Sequence, residues 1–79
     1  MASNKINLSY NWGDPVRINS NAPEKYKPNS IGSICGFRVI ESNDVSTLFN
    51  NPIGSELCLV EFTDGTSIEI PSIFLSRLD

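Results

Sequence analysis

Apolar residues along this chain recur at every second position, in runs too short for a helix to need them. "PVRI" sets Val16 and Ile18 on one face and Arg17 on the other, the alternation of a half-buried strand. "IGSICGFRVIES" resumes the pattern: Ile31, Cys35, Phe37 and Val39 share a parity, while Gly32 and Gly36 predict a bulge or a sharp bend. "KINLSY" alternates Ile6, Leu8 and Tyr10 and predicts a strand near the N-terminus. Turn formers separate these runs, among them Gly13-Asp14-Pro15, Pro28-Asn29-Ser30, Asn50-Asn51-Pro52 and Asp64-Gly65. The stretch "NSNAPEKYKPNS", with Pro23 and Pro28 inside it, predicts a long loop with Glu24, Lys25, Tyr26 and Lys27 at its tip. "NDVSTLFNNP" offers Asn43 or Asp44 as an N-cap and Pro52 as a stop, which leaves one helical turn open there.

The C-terminal hairpin can be placed in register. A two-residue loop at Asp64-Gly65 would set Glu61 against Ile68. A three-residue loop, Thr63 to Gly65, pairs Phe62 with Thr66, Val60 with Ile68 and Cys58 with Ile70, so every apolar pair falls on one face. A slip of one residue would turn a whole strand over, so burial selects the second register. It corresponds to a type I turn with Gly65 in a left-handed bulge, a conformation that costs glycine little. The other face then carries Glu61 opposite Ser67 and Glu69 opposite Leu59. Pro71 closes the strand, Ser72 to Leu75 has the length of one 3₁₀ turn, and "SRL" supplies a last short strand.

These elements predict one all-β domain over residues 1–79. Its architecture is a small five- to six-stranded antiparallel SH3-like barrel with a 3₁₀ turn before the last strand. The predicted core is Val16, Ile18, Phe37, Val39, Cys58, Val60, Phe62, Ile68, Ile70 and Leu75. "EIPSIFLSRL" resembles the Pro-Ser-x-Tyr-Val segment that precedes the final strand of SH3 domains. The resemblance implies a fold and not the family's activity. "PVRI" stands where the aromatic first motif belongs, the first loop carries lysines, no tryptophan follows Trp12, and Phe74 takes the place of the groove tyrosine.

Charge adds a second layer. The formal net charge is -3, but it is unevenly spread. Through Ile40 the balance is +3, with Lys5, Arg17, Lys25, Lys27 and Arg38 against Asp14 and Glu24. From Glu41 onward it is -6, with Arg77 against Glu41, Asp44, Glu56, Glu61, Asp64, Glu69 and Asp79. Net acidity argues against binding of nucleic acid, whose affinity comes from basic side chains on phosphates. No apolar run approaches the roughly 20 residues that cross a bilayer. The start of the chain lacks the basic and apolar segments of a signal peptide, so the expected location is the cytoplasm. Cys35 and Cys58 are expected to be reduced and buried. With no histidine and two thiols, neither a zinc site nor any other cofactor is expected.

The expected function is therefore non-catalytic. There is no histidine for acid–base work, no nucleophile context and no phosphate-binding glycine loop. Two binding readings follow. In the first, the chain is an acidic inhibitor of a basic partner, docking through Glu56, Glu61, Asp64 and Glu69. It is similar in size and charge to the bacterial immunity proteins that neutralise nuclease toxins. In the second, it is an accessory or scaffold subunit, with a partner at Lys25 and Tyr26. "WGDPVRINSNAPEKYKPNSIGSICGF" resembles the SH3-like domain of the nitrile hydratase β subunit at Gly13, Asp14, Val16, Arg17, Pro28 and Gly32. The loop histidine of that family has no counterpart here.

Overall fold

The computed structural model describes residues 10–78. The strand expected from Ile6 lies outside them, except for Tyr10, which is not in a strand. Five strands form one antiparallel sheet: β1 (Pro15–Ile18), β2 (Ile31–Val39), β3 (Glu56–Glu61), β4 (Ser67–Pro71) and β5 (Leu75–Arg77). Their order is β4-β3-β2-β1-β5. The protein is thus all-β; among the described residues there is one short helix, α1 (Asn43–Phe49), and 3₁₀ turns lie at Glu24–Tyr26 and Ser72–Phe74. No helix among the described residues is long and apolar enough to cross a membrane.

Most of the closing segment folds as its pattern requires. β3 and β4 pair Cys58 with Ile70 and Val60 with Ile68, and Glu61 faces Ser67. The Phe62 N–H donates to Thr66 O at 2.8 Å, the Gly65 N–H donates to Phe62 O at 3.0 Å, and Gly65 has φ 89°. Pro71 is the last residue of β4 and leads directly into the second 3₁₀ turn. β1 is buried at Val16 and Ile18 and exposed at Pro15 and Arg17.

β2 departs from the expected parity. Ile34 pairs with Val60, yet Gly36 pairs with Leu59, so Cys35 is an extra residue in a β-bulge. The bulge reverses the faces on its two sides. Ile34 enters the core at 2% exposure, Cys35 is half-buried, and Ile31 stays exposed. Phe37, Phe62 and Ile68 are half-buried and pack against the core rather than inside it, and Val39 is half-buried outside that cluster. The core gathers Val16, Ile18, Cys58, Val60, Ile70 and Leu75 with four residues not expected there: Tyr10, Ala22, Tyr26 and Ile34. Ile40 and Leu57 are also buried, outside that cluster.

The helix is capped one residue earlier than its sequence suggests. Ser42, in extended geometry, accepts the Val45 N–H at 3.3 Å, and Asn50 ends the helix in the left-handed region at φ 55°. Tyr10 ties the beginning of the described chain to its end. Its hydroxyl donates to Leu75 O at 2.9 Å, and the Arg77 guanidinium lies 5.0 Å from its ring centroid. Arg77 also pairs with Asp14 at 2.8 Å.

Two measurements test this arrangement. A Cβ on Gly32 would lie 2.5 Å from Glu61 O and 2.7 Å from a Val60 methyl, whereas one on Gly36 would meet Leu59 at an ordinary 3.6 Å. Gly32→Ala is expected to cost about 1–3 kcal/mol by urea unfolding, and Gly36→Ala to cost far less. The second concerns alkaline pH. Burial, reinforced by Glu56, pushes the Cys58 thiol up to about 12. A thiol raised in the fold keeps its proton while the unfolded chain loses it. Stability should therefore fall from the ordinary thiol range toward pH 12, by up to about 1.4 kcal/mol per pH unit. Cys58→Ala should lose most of that alkaline limb, and native Cys58 should resist thiol reagents.

Candidate protein-binding surface

The outer face of the β3–β4 hairpin was expected to present a bare acidic pair. Glu69 is instead held by Arg38, whose Nε and Nη2 donate to its two carboxylate oxygens at 2.6 and 2.9 Å. Arg38 stands on β2 opposite Leu57 and Glu69 on β4 opposite Leu59, so this fork reaches across β3. The pairing holds the Arg38 guanidinium charged even more firmly than usual. Glu61 remains exposed on the same face. Glu56 opens β3 opposite Val39 and is half-buried.

Asp64 is turn chemistry. Its Oδ1 accepts the Thr66 hydroxyl at 2.7 Å and the Thr66 N–H at 3.0 Å. Those bonds, with a smaller contribution from nearby Lys27, hold its carboxyl below the ordinary range. The basic and acidic halves of the sequence are thus interleaved by the fold: Arg38 meets Glu69 and Asp14 meets Arg77.

The loop between β1 and β2 is ordered by backbone bonds, some within it and some to β1 and the second 3₁₀ turn. Asn19 N–H donates to Phe74 O at 2.7 Å, Tyr26 N–H to Pro23 O at 2.9 Å, and Asn29 N–H to Ile18 O at 2.7 Å. The 3₁₀ turn that follows Pro23 sends Tyr26 inward, to 4% exposure, which corrects its expected place at an exposed tip. Its ring lies 5.8 Å from that of Phe74, and Lys25 Nζ stands 5.2 Å from its centroid. Lys27 turns back in left-handed geometry at φ 59° and sets its ammonium 5.1 Å from the Phe62 ring. Both lysines therefore lie within cation–π reach of an aromatic face.

Between this loop, the end of α1 and the second 3₁₀ turn lies a groove of about 430 Å³. Pro23, Lys25 and Tyr26 form one wall, Phe49, Asn50 and Asn51 another, and Ile73 with Phe74 the third. Ile73 is 66% exposed at its rim. Leu48 and Ile53, exposed at 67% and 54%, flank the Phe49–Asn51 wall in sequence. Among the described residues, three of the five exposed large apolar side chains thus belong to the segments that build this groove or adjoin it, the others being Trp12 and Ile31. Trp12 rests edge-on against Phe37 with ring centroids 6.4 Å apart.

Of the expected site residues, Lys25 and Tyr26 share the groove, while Glu61, Asp64 and Glu69 belong to the hairpin. Phe49, Ile73 and Phe74 were not anticipated as site residues. Their signal was present: "IFL" places three large apolar side chains in succession at a 3₁₀ turn, where they cannot all face one core. Two of the residues behind the nitrile hydratase resemblance have structural roles of their own. Gly13 N–H donates to Ile34 O at 2.7 Å, and Gly32 passes against β3. Among the described residues no group of three His, Cys, Asp or Glu side chains is placed to hold a metal.

The charge arrangement predicts an asymmetric response to reversal. Glu69→Lys breaks the fork with Arg38 and sets two cations together, so its urea midpoint should fall. Glu61→Lys should leave the midpoint within error of the parent. Equal midpoints would mean that the fork contributes nothing to stability.

Compared with protein-family models, with curated proteins and with solved structures, the chain matches none.

Proposed function

We propose that this chain is a non-catalytic protein-binding module that receives an extended segment of a partner in the groove beside Tyr26. The observation that carries this reading is the concentration of exposed apolar side chains there. Ile73 stands at the rim, Leu48 and Ile53 adjoin one wall in sequence, and Phe74 lines the hollow. Large exposed apolar residues grouped around a hollow are what a binding surface requires and what an inert one avoids. Lys25, Asn50 and Asn51 are its polar lining residues. This placement favours the accessory-subunit reading, in which the partner meets the loop carrying Lys25.

The acidic-inhibitor reading, with a basic partner such as a nuclease toxin on the hairpin face, has one observation in its favour. Glu61 is exposed on the outer face, in a chain of net charge -3. The Arg38–Glu69 fork weakens it by neutralising half of the expected acidic pair.

Site-specific photo-crosslinking separates the two. A benzophenone side chain is placed at Ile73 or at Glu61, both exposed, and the chain is irradiated in the cells that produce it. The groove reading expects one identified protein joined at position 73 and none at position 61. Adducts at position 61 alone would transfer the function to the acidic face, and adducts at neither would refute protein binding by both surfaces.

A further inference from the structure

We infer that the loop between β1 and β2 opens as a unit, with Tyr26 as a latch that its own hydroxyl makes easy to release. The first support is a contrast between two buried tyrosines. Tyr10 and Tyr26 both belong to the core, at 7% and 4% exposure. The Tyr10 hydroxyl donates to Leu75 O, whereas the Tyr26 hydroxyl is the one buried side-chain polar atom among the described residues without a partner. A hydroxyl buried in this way has given up its bonds to water, and it regains them only when the ring leaves the core. Burial of the ring therefore pulls the loop shut while the hydroxyl pulls it open.

The way the loop is attached points in the same direction. The N–H groups of Ala22, Tyr26, Lys27 and Ser30 donate to Asn19 O, Pro23 O, Glu24 O and Lys27 O, so these bonds lie inside the loop and travel with it. Backbone bonds to the body stand only at its two ends. Asn19 N–H donates to Phe74 O, and Asn29 N–H donates to Ile18 O, whose own N–H donates to Ser30 O. Between those ends Ala22 and Tyr26 are the buried side chains, and alanine has little surface to bury. The Lys27 ammonium over the Phe62 ring is an exposed contact of small strength. Tyr26 thus carries most of the attachment. Lys27, at φ 59°, also pays a steric cost in the left-handed region that release of the loop relieves.

Pro23, Lys25 and Tyr26 form one wall of the groove, so that wall is present only while the latch holds. Opening of the loop stands apart from what the groove receives, and loss of the binding reading would leave it intact.

Amide hydrogen exchange and urea unfolding of the full chain, of Tyr26→Phe and of Tyr10→Phe test the latch. In the parent, the amides of Asn19, Tyr26 and Asn29 are expected to exchange together and at least tenfold faster than those of β3. Tyr26→Phe removes the unpaired hydroxyl and keeps the ring. It should raise the urea midpoint and slow exchange of the three loop amides about tenfold. Tyr10→Phe removes a paired hydroxyl and should lower the midpoint, so the two conservative changes are expected to have opposite signs. A midpoint lowered by Tyr26→Phe as well would show that its hydroxyl is bonded in the fold, and would overturn the latch. Loop amides as slow as those of β3 in the parent, or unaltered by Tyr26→Phe, would overturn the opening.

Discussion

β2 carries the constraint on which the rest depends. It is the strand that pairs with both β1 and β3, and at Gly32 it runs so close to β3 that a single Cβ would overlap the Glu61 carbonyl. One residue beyond Ile34 the bulge at Cys35 reverses its faces. Without that reversal Ile34 and Phe37 could not both face inward, because residues of opposite parity point to opposite sides of a regular strand. The close approach and the bulge together let a nine-residue strand serve a small core along its length. The Cys58, Val60 and Ile70 cluster on one side and the Val16, Ile18 and Leu75 cluster on the other become one.

The charge distribution is a consequence of the same topology. A basic first half and an acidic second half would make two opposed surfaces if each half folded on itself. Here β2 and β4 flank β3, and β1 pairs with β5, so each half reaches into the other. Arg38 finds Glu69 across β3, and Arg77 returns to Asp14 at the start of β1. Exposed pairs of this kind contribute little to stability. Their larger effect is on the surface charge, since they remove the uniform acidic face that a count along the sequence suggests.

What was legible in the sequence was what local rules decide. The hairpin register followed from parity and a turn glycine, and Gly65 and Pro71 perform the roles their chemistry suggests. The short strand "PVRI" and the final 3₁₀ turn were read in the same way. The glycines of β2 announced an irregularity, but alternation alone could not say that the extra residue was Cys35, and the expected core failed on that strand. Ser42 was passed over because Asn43 and Asp44 are equally good caps by type. Tyr26 was misplaced for a nonlocal reason. A tyrosine between two lysines reads as solvent-facing, yet the turn after Pro23 lets the ring enter the core while both ammonium groups remain over aromatic faces. The Arg38–Glu69 fork joins strands separated by a third, which no spacing along the chain reveals.

The sequence "IFL" shows how the fold and the groove share residues. Three consecutive large side chains would be wasteful in a strand, where one must face water. The 3₁₀ turn fans them apart: Leu75 goes into the core at 6% exposure, Phe74 is half-buried against Tyr26, and Ile73 projects at the groove rim. Leu75 O also accepts the Tyr10 hydroxyl, and Phe74 O accepts the Asn19 N–H, so the end of the turn is fixed by two distant parts of the chain. The exposure of Ile73 is then imposed by the burial of its neighbours rather than by local looseness. The backbone that carries Ile73 is therefore already ordered, and its ordering is not a cost that covering this side chain would add.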